Sequence, residues 1–183
     1  MASTPLTPSS SEFLRRSVLQ LWPKVYAFGR SLVRDPHRAE DLCQEAYLRF
    51  FEMKRPVDLS RPLLPLLLTI LRNLVASESR RPREVSLDAP CAGETAPPDA
   101  AAEPPAKAAA RREEKCTVQA ALARLTPDWR AVLYLRDGLG FSYREIADVV
   151  ERSEDNVRVT LHRARRKVRT LLKGTGLDER RAQ

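Results

Sequence analysis

Between Glu84 and Ala106 the chain changes character: Ala, Pro, Glu and Asp dominate, and large apolar residues nearly vanish. Such a segment cannot bury enough surface to offset the entropy of ordering it, so it is expected as a flexible tether. The 183-residue chain then divides into a short disordered N-terminus (residues 1–11), a first block (12–83), a linker (84–110), a second block (111–174) and a tail (175–183). Both blocks are rich in Leu, Ala and Arg at helical spacing. The expected fold class is all-α, two small helical domains joined by an Ala/Pro-rich linker, with the Ala-rich stretch Ala108 to Arg112 reading as already helical.

In the first block, Val18, Leu21, Trp22, Val25, Phe28 and Leu32 recur at helical spacing, and Pro23 breaks or starts a helix. Asp35-Pro36 is a start signal, an acceptor at the cap followed by proline in the first turn. The helix it opens carries Ala39, Leu42, Cys43, Ala46 and Phe50 on an apolar side, and Asp41, Glu45, Arg49 and Glu52 on a more polar one. Met53 to Arg61 reads as a loop. A helix from about Leu63 to Ser79 follows, ending in Arg80-Arg81-Pro82-Arg83.

In the second block, Val118, Ala121, Leu122 and Leu125 form one stripe. Thr126-Pro127 caps the next helix, which carries Val132, Leu133 and Leu135 and stops at the Gly138/Gly140 pair. Ser142 to Glu145 fits a capping box. Arg152-Ser153 makes a tight turn with Ser153 as N-cap, and Glu154 and Asp155 suit the positive end of the final helix. The pattern is a helix-turn-helix preceded by two supporting helices.

On the final helix Val157, Leu161, Ala164, Val168 and Leu171 alternate three and four apart and face the supporting helices. Arg158, His162, Arg165 and Arg169 share another face, with Thr160, Arg163, Arg166 and Lys167 beside it. Arginine can pair bidentately with guanine or clamp a phosphate, and asparagine can pair with adenine. The first turns of such a helix reach base edges. Asn156, Arg158, Val159 and Thr160 are therefore the candidate base readers, and His162, Arg163, Arg165 and Arg166 the candidate phosphate contacts. The alternative is a merely solvated basic face.

The formal net charge of +8 favours a polyanionic partner such as nucleic acid. Cys43, Cys91 and Cys116 are widely spaced with no C-x-x-C pair, which argues against a zinc site or disulfide framework and fits a reducing cytoplasm. The Ser/Thr/Pro-rich start lacks the apolar core of a signal peptide. The greasiest run, Pro62 to Ala76, is too short to span a bilayer and contains Pro65 and Arg72, so a soluble protein with no membrane insertion is expected.

Both blocks, in this order and with this tether, resemble the extracytoplasmic-function group of bacterial RNA polymerase sigma factors. Arg34-Asp35-Pro36 and Ala39 to Arg49 look like the family's second conserved region. Leu67, Ile70, Arg72-Asn73-Leu74 and the trailing arginines look like its promoter-melting helix. Ala121 to Pro127 and Ser142 to Lys167 look like its fourth region. The resemblance implies that Asp41, Leu42, Gln44, Glu45 and Leu48 dock on core RNA polymerase, on a coiled coil of its largest subunit β′, with β as a further partner. It implies that Arg72, Asn73, Arg80 and Arg81 hold the melted −10 strand, beside a loop at Met53 to Pro62 that captures an unstacked base. It implies that Arg144, with the residues named on the final helix, binds the −35 element of promoter DNA. An anti-sigma protein wedged against both blocks is a further implied partner; no cofactor or metal is.

The chain departs from the family pattern at several places. Leu66 stands where a tryptophan is common, and the acidic residue usual after Asn-Leu is missing from Ala76-Ser77-Glu78-Ser79. Asp155-Asn156 replaces a common Gly-Thr pair. Glu151 replaces the usual turn glycine and must either accept a positive φ or reshape the turn.

Two other function classes compete with this one. A stand-alone helix-turn-helix regulator would need a ligand or dimerisation domain in the first block, where the sequence instead offers an acidic helix face and an arginine-ended helix. An enzyme is disfavoured because His37 and His162 are far apart in sequence, neither lies in a catalytic motif, and no phosphate-cradling glycine loop is present.

Overall fold

The computed structural model describes residues 8–33, 35–53, 62–79 and 105–173. Arg34, the loop at 54–61, Arg80 and Arg81, the tether up to residue 104 and both chain ends lie outside the described residues. The described elements are α1 (Pro8–Leu19), α2 (Trp22–Leu32), α3 (Pro36–Glu52), α4 (Leu63–Ser79), α5 (Pro105–Ala123), α6 (Pro127–Leu133), a π-helical turn (Tyr134–Gly138), α7 (Tyr143–Val150) and α8 (Glu154–Lys173). All are helical, as the periodicity requires.

Local chemistry accounts for where these helices begin. Pro23 occupies the first turn of α2, where a missing N–H costs nothing. The Asp35 carboxylate accepts from the His37 amide at 3.0 Å, and Pro36 opens α3. Thr126 caps α6 by accepting from the Trp129 amide. Helix α5 begins at Pro105, ahead of the linker boundary expected at residue 110. Alanines on either side of Lys107 are strong helix formers once Pro105 sets the first φ.

In block one, α2, α3 and α4 pack around Val25, Phe28, Cys43, Phe50, Leu67 and Leu71, all essentially buried. Trp22 lies 5.4 Å from the Tyr47 ring, and the Tyr47 hydroxyl donates to the Val18 carbonyl at 3.1 Å. Helix α2 leaves no room for a side chain at Gly29, where an added Cβ would stand 2.9 Å from Cys43 Sγ of α3. Burial pushes the Cys43 thiol up to about 12, with the Glu40 carboxylate adding to it. Cys43 is thus a packed, unreactive thiol. Across α3 and α4, Arg38 donates to Glu78.

In block two, α8 packs on α5, α6 and α7. The two blocks also pack on each other: α4 lies against α7, α2 against α6, and one apolar core runs unbroken from Leu14 to Ala164. Phe28 of α2 meets Tyr134 of the π turn with ring centroids 6.0 Å apart, and Arg130 donates to the Leu32 carbonyl at 2.6 Å. The two helical domains expected from the sequence are present, and they also pack against each other. The composition of residues 84–104 speaks only to what that segment can bury, whereas docking depends on complementary faces on its two flanks.

Candidate functional site

The turn between α7 and α8 is built from local hydrogen bonds. The Glu145 carboxylate accepts from the Ser142 amide at 2.8 Å, and the Ser142 hydroxyl accepts from the Glu145 amide, completing the capping box. Bonds from the Ser142 hydroxyl and then its amide hold the Glu145 carboxyl below its ordinary value. Glu151 closes α7 in the left-handed region (φ 54°, ψ 48°), so the turn keeps its shape and the glutamate bears the strain. Its amide and that of Arg152 both reach the Ala147 carbonyl. Ser153 Oγ then accepts from the Asn156 amide to start α8.

Helix α8 divides as its sequence suggests, with one exception. Val157, Leu161 and Ala164 are buried, while Asn156, Arg158, Val159, His162, Arg163, Arg165 and Arg166 are exposed; Arg144 is exposed on α7. Thr160, expected among the base readers, is buried at 9% exposure. It lies three residues beyond Val157 and so shares that residue's inward face, donating from Oγ1 to Asn156 Oδ1 at 3.2 Å. Its place is beneath Asn156. Arg165, expected as a phosphate clamp, donates from Nε and a terminal nitrogen to Asp137, which raises its pKa. Arg158 stands over the Tyr143 ring, 5.2 Å from its centroid.

On α3, Asp41, Gln44, Glu45 and Leu48 form one stripe at i, i+3, i+4 and i+7. Leu48 is 57% exposed, a large apolar side chain left in water among acidic neighbours. Glu45 accepts from Arg49 Nε at 2.8 Å, and Asp41 lies 3.5 Å from Arg38. Leu42, expected with this group, is 4% exposed and belongs to the core beneath the stripe. It is one residue on from Asp41, a hundred degrees round the helix.

On α4, Asn73 is exposed but Arg72 is not. Arg72 donates to Asn73 Oδ1 at 3.1 Å and across the block boundary to Asp128 Oδ1 at 3.2 Å, while its Nε is buried without an acceptor. Asp128 Oδ2 accepts from Arg152 at 2.6 Å, and the Glu151 carboxylate stands 4.0 Å from Arg72. Arg72, Asp128 and Arg152 border a cleft of about 280 Å³ walled also by Leu32, Val75 and Pro127. Asp128 and Arg152 gave no sign of this in sequence: one looks like a first-turn acid, the other like a turn residue. Among the described residues no cluster of three or more His, Cys, Asp or Glu could hold a metal ion, and no helix is long and apolar enough to cross a membrane.

Residues 18–84 match the family model for Sigma-70 region 2, and residues 117–168 match that for Sigma-70, region 4. Over 175 residues the chain is 34% identical to the ECF RNA polymerase sigma factor EcfG of Rhodopseudomonas palustris, covering 96% of this chain and 91% of that one. It is 31% identical over 150 residues to the RNA polymerase sigma factor CarQ of Myxococcus xanthus, covering 82% and 83%. The fold is similar to that of the sigma factor RpoE crystallised with the anti-sigma factor NepR from Bartonella quintana (TM-score 0.66, 22% identity, 88% of this chain and 98% of that one). It is also similar to CnrH in complex with the cytosolic domain of CnrY (TM-score 0.61, 22% identity, 87% and 86%). With both regions in order and identity of this level along nearly the whole chain, the protein belongs to the extracytoplasmic-function group of the sigma-70 family, alternative sigma factors that direct RNA polymerase to initiate transcription at particular promoters.

Proposed function

We propose that block one carries the core-docking and −10 contacts and block two the −35 contacts, with the chain doing no chemistry of its own. Asp41, Gln44, Glu45 and Leu48 meet a basic coiled coil of the polymerase β′ subunit, Leu42 supporting them from below. Carboxylates one turn apart beside an exposed leucine suit a helix partner that is part basic, part apolar. Asn73 and Arg72, with Arg80 and Arg81, hold the melted −10 strand. Arg72 reaches that strand only after leaving Asp128, so engagement of the −10 element is coupled to parting of the blocks. On α8, Asn156, Arg158 and Val159 read −35 bases, Thr160 orients Asn156, and Arg144, His162, Arg163 and Arg166 contact phosphates. Arg165 joins them with whatever donor capacity Asp137 leaves.

The observation that carries this reading is the exposed acidic stripe on α3 in the same chain as an exposed cationic face on α8. Because the relatives of similar fold are bound to NepR and to CnrY, we infer that an anti-sigma protein is a further partner here. The test is fluorescence anisotropy of the purified chain with bacterial core RNA polymerase, beside an Asp41→Lys/Glu45→Lys double variant. Tight binding lost in the variant supports the assignment. Absent core binding, with salt-sensitive affinity of the chain alone for duplex DNA, favours a stand-alone regulator instead.

A further inference from the structure

We infer that Tyr143 is a positioning residue for −35 recognition: its ring lies under the Arg158 guanidinium and takes none of its N–H donors as a hydrogen-bond acceptor would, which leaves them for a base. The inference rests on the reading of Arg158 as a base reader given above.

The ring is itself fixed. Tyr143 opens α7 directly after the Ser142 cap, is partly buried against the core, and carries a second guanidinium, that of Arg136, at 4.9 Å from its centroid. Arg136 is anchored by donating to the Phe141 carbonyl at 2.7 Å. Two cations on one ring repel each other, and the chain offsets this with Glu154 and Asp155, whose carboxylates each stand 3.9 Å from Arg158. At that distance they balance charge without a hydrogen bond. Arg158 is therefore held by a cation–π contact with the ring, which consumes no donors.

Arg165, on the same helix, shows the opposite arrangement. It presents its guanidinium edge to Asp137 and spends Nε and a terminal nitrogen there. A bidentate pair with guanine needs the edge, so of the two only Arg158 is held in a state ready to make one. Without the ring, an arginine that is 57% exposed would sample many rotamers and pay their entropy on meeting DNA.

The experiment uses the full chain and duplex DNA. Selection from a randomised duplex library defines the preferred −35 sequence. Affinities for its single-base variants are then measured for the wild type, Arg158→Ala, Tyr143→Phe, Tyr143→Leu and the double variant Tyr143→Leu/Arg158→Ala. Expected is that Arg158→Ala relaxes preference at one position. Tyr143→Leu should relax that same position about 2- to 5-fold, the span of cation–π attraction at exposed sites. Tyr143→Phe should keep the preference, and the double variant should be no more relaxed than Arg158→Ala. If Tyr143→Leu leaves that position unchanged, or weakens all positions alike, the positioning role is overturned and the reading of Arg158 stands. Loss in Tyr143→Phe equal to that in Tyr143→Leu overturns it too, since the hydroxyl would then be the active group. An Arg158→Ala variant with unchanged preference removes both.

Discussion

Arg72 on α4 and Arg158 on α8 are two arginines of one sigma factor, each assigned to DNA, and the structure holds them in opposite states. The Arg72 side chain is 15% exposed and hydrogen-bonded across the block boundary to Asp128; that of Arg158 is 57% exposed and faces Glu154 and Asp155 only at 3.9 Å, beyond hydrogen-bond distance. A guanidinium so far removed from water needs its carboxylate, because losing the partner leaves an uncompensated charge. An exposed one can exchange partners at little cost. The proposed −35 surface is thus presented as the chain stands, whereas Arg72, proposed for the −10 strand, helps to close the molecule on itself. The same residue type is offered to solvent in one block and tied into the joint between blocks in the other.

The comparison breaks most severely at the joint's apolar centre. Phe28 is fully buried and meets Tyr134 across the boundary. Phe28→Ala should cost about 3–5 kcal/mol of stability, read by urea unfolding, and should part the blocks as well as weaken block one. Unfolding with the block-to-block distance unchanged by small-angle scattering would mean that the joint does not depend on this ring.

A narrower test removes one charge. Asp128→Asn keeps the shape of the side chain but strips Arg72 and Arg152 of their shared carboxylate. The joint should weaken by roughly 1–2 kcal/mol, a charged hydrogen-bond value discounted for the half-exposed carboxylate. Energy transfer between dyes on the two blocks should fall in the variant. In the wild type it should fall as salt rises, and in the variant that salt response should flatten. An unchanged salt response would assign closure to apolar contact alone.

The smallest effect belongs to the presented side. Ser142→Ala removes the cap that seats α7, at about 1 kcal/mol. Its partner Glu145 has a folded pKa below the unfolded value, so its contribution is complete above about pH 4.3 and is lost as pH falls through the folded value. Thermal melts should therefore show the gap between wild type and Ser142→Ala narrowing in acid. A gap that widened in acid would contradict the sign.

Much of the architecture is legible in the residues. Asp35-Pro36, Thr126-Pro127, Ser142-x-x-Glu145 and Ser153 each declare a helix start through bonds to neighbours three residues away or fewer, and each is found where it was read. The α8 faces followed from spacing, except at Thr160, a residue small enough to sit on either side of a helix edge. Leu42 shows the same limit: its type named it as both core and contact, and only its angle around α3 decided between them. Arg165 looked like its basic neighbours until Asp137, twenty-eight residues earlier, was brought beside it.

Helix positions, caps and the division of each helix into faces are set by interactions within a turn or two of the chain, so the order of residues alone determined them, as it did the family. The pairing of Arg72 with Asp128, the continuity of the core across both blocks through Phe28 and Tyr134, and the seating of Arg158 over Tyr143 join residues 15 to 106 positions apart. No local rule couples such positions. Which guanidinium is spent and which is offered was decided only when the helices packed, because packing sets which carboxylate or ring each one meets and how much water it keeps.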